Sequence, residues 1–174
     1  MADLTDSPAP VQIWPGDLAA RYRAKGYWRG ETMGGVLRAR AAEHPERLAV
    51  SDGDIRWTYA DLLSRSETAA RGYLNLGLVP GDRVIVQIPN VAGFFPAVFG
   101  LFLAGLLPVY ALPAHRQTEL AHFARRSGAK GIVVTSAGFD YAALAREVRD
   151  AVPSLAHVIL ADDLDGPPAP LPDA

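Results

Sequence analysis

The chain has 174 residues, of which 49% are apolar and 21% charged, with 16 Gly, 14 Pro and no Cys. This composition is that of a globular protein and excludes collagen, a coiled coil and a disulfide-stapled secreted domain. The net charge is -2 and the basic residues are spread along the chain, which argues against nucleic acid as a partner.

The N-terminal residues predict a cytoplasmic protein, because Met1–Asp6 is acidic and lacks the basic start and apolar stretch of a secretory signal. Residues 1–16 are interpreted as an N-terminal arm. Four aromatic residues lie at the end of this arm and just after it: Trp14, Tyr22, Tyr27 and Trp28. Such a group either clamps an arm onto the body of a protein or forms a recognition surface.

Periodic apolar residues, together with Gly and Pro at the turns, predict the secondary structure. In chain order, the predicted elements are helices over Asp17–Lys25 and Met33–His44, a hairpin of Leu48–Ser51 and Ile55–Trp57, a helix from Tyr59 to Gly77, strand Val84–Ile88, helix Val91–Ala104, strand Leu107–Leu112, helix Thr118–Ser127, strand Gly131–Thr135, a helix from Asp140 to Pro153, and strand His157–Leu160. The Asp52-Gly53 pair favours the hairpin because Gly accepts a positive φ.

The helix that follows the hairpin has the clearest boundary signals. Thr58 stands at the N-cap position with Asp61 three residues later, which is the spacing of a capping box, and Gly77 suits a left-handed C-cap. The predicted buried face consists of residues at helical spacing: Tyr59, Leu62, Leu63, Ala69, Ala70, Tyr73 and Leu74.

The alternation of strands and helices predicts an α/β fold, with a mainly parallel sheet, helices on both faces and a short hairpin near the N-terminus. Residues 17–161 are predicted to form this unit. Residues 162–174 are rich in Asp and Pro and are interpreted as a linker or a truncation edge.

A membrane span is the alternative for one segment, because no charged residue occurs between Arg83 and His115. Pro and Gly residues divide this segment into short pieces, including Pro89, Pro96 and Pro108. The pattern is that of two buried strands with a helix between them, so no membrane partner is predicted.

The sequence carries none of the common nucleotide-binding, metalloprotease or hydrolase motifs. The sequence contains no Gly-x-Gly-x-x-Gly after a strand, no phosphate-loop motif, no His-Glu-x-x-His and no Gly-x-Ser-x-Gly. Ser127–Gly131 offers glycines and Lys130 for a phosphate, but it follows a helix and precedes a strand. A phosphate loop has the reverse order, so this segment is predicted to be a helix C-cap.

His115 and Arg116 are the candidate substrate-binding residues, because they follow a predicted buried strand. Open α/β sheets bind ligands at the carboxyl ends of their strands. One interpretation is an imidazole and a guanidinium that face an anionic ligand. The alternative is a polar loop in which the Arg pairs with a carboxylate or caps a helix.

No metal site is predicted. The remaining histidines, His44, His122 and His157, are dispersed and lack ligand spacing, and the absence of Cys removes thiolate zinc and Fe–S sites.

Several stretches resemble the acyl-adenylate-forming superfamily in order and spacing: Trp57-Thr58-Tyr59-Ala60-Asp61-Leu62, Pro80-Gly81-Asp82-Arg83-Val84, Pro89-Asn90, and Leu101 through Val109. Two more are similar to its aryl acid branch, the 2,3-dihydroxybenzoate-AMP and salicylate-AMP ligases: Trp14-Pro15 through Arg21–Trp28, and Ala111-Leu112-Pro113-Ala114-His115-Arg116. The resemblance covers nearly all of the chain before the Asp/Pro-rich end.

The resemblance implies ATP-dependent activation of an aryl acid in siderophore biosynthesis, with transfer of the acyl group to the phosphopantetheine thiol of an aryl carrier protein. ATP and Mg²⁺ are the implied cofactors of the complete enzyme. The fold it implies is an incomplete piece of the large N-terminal domain of these ligases, so that residues 17–161 form part of an AMP-binding domain.

No catalytic or cofactor-binding residue is assigned by the resemblance. The phosphate loop and catalytic Lys of the family have no counterpart here, since Lys25 and Lys130 are the only lysines and neither has a matching context. The expectation is a truncated, inactive piece that binds no ATP or Mg²⁺ by itself. It would self-associate through apolar surface on the sheet and helix Val91–Ala104. The alternative is a non-catalytic interaction module that keeps the scaffold.

Overall fold

The computed structural model describes residues 14–162 and the backbone of residues 169–170. The elements are α1 (Gly16–Ala24), α2 (Met33–Glu43), β1 (Leu48–Asp52), β2 (Ile55–Thr58), α3 (Tyr59–Asn75), β3 (Arg83–Gln87), α4 (Phe94–Leu103), β4 (Leu107–Tyr110), α5 (Gln117–Ser127), β5 (Gly131–Val134), α6 (Tyr141–Ala151), β6 (His157–Leu160) and β7 (Ala169–Pro170). The largest shift from a predicted boundary is at α4, which begins at Phe94 instead of Val91.

The start of α3 is the predicted capping box. Thr58 Oγ1 accepts from the Asp61 N–H at 3.2 Å, and Asp61 Oδ2 accepts from the Thr58 N–H at 2.9 Å. The Thr58 N–H and, to a lesser extent, the Thr58 hydroxyl donate to the Asp61 carboxylate and hold the pKa of this carboxyl below its usual value. The hairpin is also confirmed, since β1 and β2 pair antiparallel around Gly53, whose φ is +54°.

A five-stranded sheet in the order β4-β3-β5-β6-β7 forms the body. The pairs β4–β3, β3–β5 and β5–β6 are parallel, and β7 pairs antiparallel with β6. The predicted α/β fold with a mainly parallel sheet and a separate hairpin is therefore confirmed. The strand β7 falls within residues 162–174; the interpretation of this region as a linker stays a prediction, and residues 163–168 and 171–174 lie outside the described part, as do residues 1–13 of the arm.

The two faces of the sheet carry different helices. Val84 and Val86 of β3 pack with α3 and α4, whereas Ile85 packs with α5 and α6. This alternation follows from the two-residue period of a strand and places a hydrophobic core on each side of the sheet.

Helices α3 and α4 approach each other closely at Gly100. A Cβ atom on this residue would lie 2.6 Å from the Cβ of Ala69 and 3.1 Å from the carbonyl oxygen of Ser66. The absence of a side chain at Gly100 therefore permits the backbone contact between the two helices.

Exposed apolar side chains were expected on the sheet and on helix Val91–Ala104, and they occur at the sheet edge but little on the helix. Helix α4 is largely buried against α3, and large apolar side chains are exposed along β4 and just beyond it: Leu107, Tyr110 and Leu112. Strand β4 is exposed because it lies at the edge of the sheet. Within the described residues, no helix combines the length and the apolar character needed to cross a membrane.

Candidate functional site

A cleft opens at the carboxyl edge of the sheet, between β3 and β5. The chain leaves β3 towards α4 on one face, and it leaves β5 towards α6 on the other. Because these segments diverge, a crevice forms at the strand ends, the place where open α/β sheets bind ligands. The cleft has a volume of about 240 Å³ and largely aliphatic walls, including Ile55, Ile88 and Ala161.

Three polar residues line this cleft: Asp52, Thr135 and Asp162. Asp52 Oδ2 accepts from the Ala92 N–H at 2.8 Å and so ties the hairpin to the segment that precedes α4. Asp162 accepts from Thr135 Oγ1 and from the Ser136 N–H, which joins the ends of β5 and β6. These hydrogen bonds join four chain segments around the cleft in two pairs.

Gln87 fixes the loop that follows β4, next to this cleft in the sheet. Its side chain is fully buried, and Nε2 donates to the carbonyl oxygens of Leu112 at 3.1 Å and of His115 at 3.0 Å. Gln87 Oε1 is buried and has no hydrogen-bond partner among the described residues. The amide therefore holds the turn by donation alone.

His115 lies in this loop and does not line the cleft. Its Nδ1 accepts from the Leu112 N–H at 3.0 Å, and its ring packs edge-on against Phe123. A neutral imidazole that accepts at Nδ1 carries its proton on Nε2. Within residues 14–162, this second nitrogen makes no hydrogen bond.

Arg116 joins the same loop to the segment after β5. Nη1 donates to the carbonyl oxygens of Pro113 and His115, each at 2.9 Å, and the guanidinium carbon lies 4.3 Å from the ring centroid of Phe139. Its backbone N–H donates to Glu119 at 2.9 Å and lowers the pKa of that carboxyl. His115 and Arg116 lie at the carboxyl edge of the sheet, where they were predicted, and both side chains make hydrogen bonds with backbone groups.

Asp52, Thr135 and Asp162 were missed from the sequence. The signal for two of them was present, because Thr135 follows β5 and Asp162 comes soon after β6. The rule that selected His115 applies equally to both. Asp52 lies in a hairpin, and only the tertiary fold brings it to the sheet edge.

The segment Ser127–Gly131 is the predicted helix C-cap. Gly128 has a φ of +64° and ends α5 in the left-handed conformation, and Lys130 is exposed. The Lys130 N–H donates to the carbonyl oxygen of Arg83, so this segment forms a turn into β5.

The residues that line the cleft do not fit Mg²⁺ or a polyphosphate. Asp52 and Asp162 already accept hydrogen bonds, and residues 14–162 contain no group of three His, Asp or Glu placed to hold a metal ion. Two carboxylates without a Lys or Arg also repel phosphate.

These features define part of a doubly wound α/β protein, a class that binds ligands at the carboxyl edge of its sheet. The AMP-binding enzyme family matches residues 37–173, and the chain belongs to this family. The resemblance drawn from the sequence motifs is thereby confirmed.

Two curated relatives share more than 40% sequence identity with this chain. The chain is 41% identical over 171 residues to the 2,3-dihydroxybenzoate-AMP ligase of Bacillus subtilis (strain 168), covering 92% of this chain and 32% of that protein. It is 46% identical over 164 residues to the salicyl-AMP ligase / salicyl-S-ArCP synthetase of Mycobacterium tuberculosis, covering 90% of this chain and 28% of that protein. The chain thus spans about a third of the length of these relatives or less.

One solved structure is similar to this chain in both fold and sequence. The apo structure of MbtA from Mycobacterium smegmatis is similar with a TM-score of 0.80 and 46% identity, covering 86% of this chain and 28% of that chain. The similarity confirms the fold class.

Proposed function

We propose that the protein is part of an aryl acid-AMP ligase that activates 2,3-dihydroxybenzoate or salicylate in siderophore biosynthesis. In this reaction a carboxylate oxygen attacks the α-phosphorus of ATP, which releases pyrophosphate and forms the aryl-adenylate. The thiol of a phosphopantetheinylated carrier protein then attacks the acyl carbon and releases AMP. The observation that carries the proposal is 46% identity, over 90% of this chain, to a relative named for this activity.

The described residues contribute scaffold to this reaction. Within the described part of the chain, the cleft at the sheet edge is lined by no Lys or Arg that could bind the phosphates, and its two carboxylates, Asp52 and Asp162, each accept hydrogen bonds from the protein. ATP and Mg²⁺ are therefore proposed as requirements of the complete enzyme, held by groups other than those described. We place the complete enzyme in the cytoplasm, where ATP is available.

The test is exchange of labelled pyrophosphate into ATP. The full-length protein is expected to exchange in the presence of 2,3-dihydroxybenzoate or salicylate, and residues 1–174 alone are expected to show only background. Exchange by the short chain would contradict the scaffold role. A full-length protein that exchanges with neither acid, but with another carboxylic acid, would overturn the proposed substrate class.

We propose further that His115 and Arg116 border the substrate, with His115 Nε2–H facing an anionic group. His115→Ala and His115→Asn separate this role from a purely structural one, because the Asn oxygen can still accept from the Leu112 N–H. Both variants of the full-length enzyme are expected to raise KM for ATP or for the aryl acid. An Asn variant with unchanged KM for both substrates would show that the imidazole serves only the loop.

The 174-residue chain by itself is proposed to self-associate through the edge of β4, where Leu107, Tyr110 and Leu112 are exposed. Its sedimentation coefficient is then expected to rise with concentration.

A further inference from the structure

Four aromatic residues in and around helix α1 form a surface that the proposed function does not use. This aromatic surface consists of Trp14, Tyr22, Tyr27 and Trp28. Tyr22 lies at its centre, with ring centroids 6.3 Å from Trp14, 6.1 Å from Tyr27 and 5.4 Å from Trp28. Trp14 and Trp28, from opposite ends of the helix, meet edge-on at 6.0 Å. Rings at these separations support one another.

A Schellman motif at the end of α1 fixes this arrangement. Gly26 has a φ of +72°, its N–H donates to the Arg23 carbonyl at 3.0 Å, and the Tyr27 N–H donates to the Tyr22 carbonyl at 2.9 Å. These are the two hydrogen bonds of the motif, and the contact between Tyr22 and Tyr27 is its usual apolar partner. The turn therefore brings Tyr27 and Trp28 back beside the helix.

The aromatic surface is open to solvent. Trp14 is 51% exposed, Tyr27 69% and Trp28 39%, while Ala19 is the only buried residue of α1. The rings support α1 and one another, and they bury little against the sheet. Contiguous exposed aromatics on a protein surface mark an interaction site.

Three basic side chains lie over these aromatic rings. Arg21 lies 5.7 Å from the Tyr22 centroid, Arg23 5.7 Å from that of Trp28, and Lys25 5.9 Å from that of Tyr27. None of the three has an ion-pair partner among the described residues. A stacked guanidinium keeps its N–H edge free for a carboxylate, and stacking reduces the freedom lost on binding.

The local charge is opposite to that of the whole chain. Residues 14–31 contain four cations and two anions, whereas the chain has a net charge of -2. One of the four cations, Arg29, is paired with Glu31 at 3.1 Å. The charge left unpaired is therefore positive and is concentrated beside the exposed rings.

We propose that this surface docks an acidic protein partner through a helix that presents carboxylates and an apolar side chain. The apolar side chain packs against Trp14 and Trp28, and the carboxylates pair with Arg21, Arg23 and Lys25. Trp, Tyr and Arg are the residue types that dominate binding energy at protein interfaces. Opposite charges add orientation and a faster association.

The observations favour a protein over a nucleic acid or a membrane. Tight nucleic-acid binding neutralises many phosphates, and this surface offers three unpaired cations. A membrane-surface helix needs a long apolar face, whereas α1 has nine residues with Leu18 as its only large aliphatic side chain.

The test uses the full-length protein and a helical peptide with Glu at i, i+3, i+4 and i+7 and Leu between them. Acrylamide quenching is compared between the protein and a variant with Trp14→Phe and Trp28→Phe, and the difference reports on these two tryptophans. Trp57, which is only 6% exposed, and any tryptophan outside the 174 residues are present in both proteins and cancel. The peptide is expected to protect this fluorescence, with an affinity that falls as salt rises. Replacing each Glu of the peptide by Lys is expected to abolish binding.

Two sets of variants complete the experiment. Arg21→Glu with Arg23→Glu is expected to raise Kd at least about tenfold, and Gly26→Ala is expected to weaken binding without a charge change, because Ala strains the left-handed turn. Arg126→Glu with Lys130→Glu makes the same charge change elsewhere and is expected to leave Kd within about twofold.

Three outcomes would overturn the proposal. The first is an equal effect of both charge reversals, and the second is tighter binding of single-stranded oligo(dT) or of phosphatidylserine vesicles than of the acidic peptide. The third is shielding of Trp14 and Trp28 in the free full-length protein, which would mean that its own chain covers this surface. None of these depends on ligase activity, so they are distinguishable from a failure of the proposed function.

Discussion

Leu101→Ala is expected to lower the free energy of unfolding by about 2–5 kcal/mol. Leu101 is fully buried on α4, in the core between α3 and the sheet. Truncation removes apolar contacts and leaves a cavity that its neighbours fill only in part, because Gly100 already brings the backbones of α3 and α4 into contact. Urea unfolding of the 174-residue chain at low concentration measures the loss.

Leu74→Ala is the matched control for this measurement. The periodic pattern of α3 predicted Leu74 on the buried face, and that prediction is wrong, because the side chain is 44% exposed. Truncation there is expected to cost less than about 1 kcal/mol, since little apolar area is lost from the core. Equal losses in the two variants would contradict the packing described for α3 and α4.

Gln87→Met is expected to release the loop after β4. The variant keeps the side-chain volume but loses the two hydrogen bonds to the Leu112 and His115 carbonyls. The expected loss of stability is about 1–2 kcal/mol, because each carbonyl keeps a second donor and the unpartnered Oε1 is removed at the same time. Faster hydrogen exchange of the Leu112 amide, which donates to His115 Nδ1, is the sharper readout.

Gln117→Met makes the same chemical change at an exposed position in the first turn of α5. It is expected to change stability by less than about 0.5 kcal/mol and to leave the exchange of Leu112 unchanged. If Gln87→Met behaves like this control, the loop is held by its own turn and by Arg116, and Gln87 has no part in presenting His115.

The candidate site was only partly predictable from the sequence. The strand-end rule selected His115 and Arg116, and it applied equally well to Thr135 and Asp162. It did not select Gln87, because the predicted strand Val84–Ile88 placed this residue inside the strand, whereas β3 ends at Gln87. Its partners are 25 and 28 residues away, and the pairing exists because β3 and β4 are neighbours.

The sequence by itself determined the order and type of the elements and the family resemblance, because these depend on local patterns. A capping box, a left-handed glycine and an apolar period each involve a few successive residues, as Thr58 with Asp61 and Gly128 show. The backbone geometry of one helical turn is enough to fix such features.

Only the tertiary structure decided the strand order, the exposure of Leu74 and β4, and the cleft built by Asp52, Thr135 and Asp162. Asp52 meets the Ala92 amide across 40 residues, and Asp162 meets Thr135 across 27. These contacts form when the sheet places distant strand ends side by side. No local pattern encodes them, since the free energy that brings the segments together comes from burying both faces of the sheet.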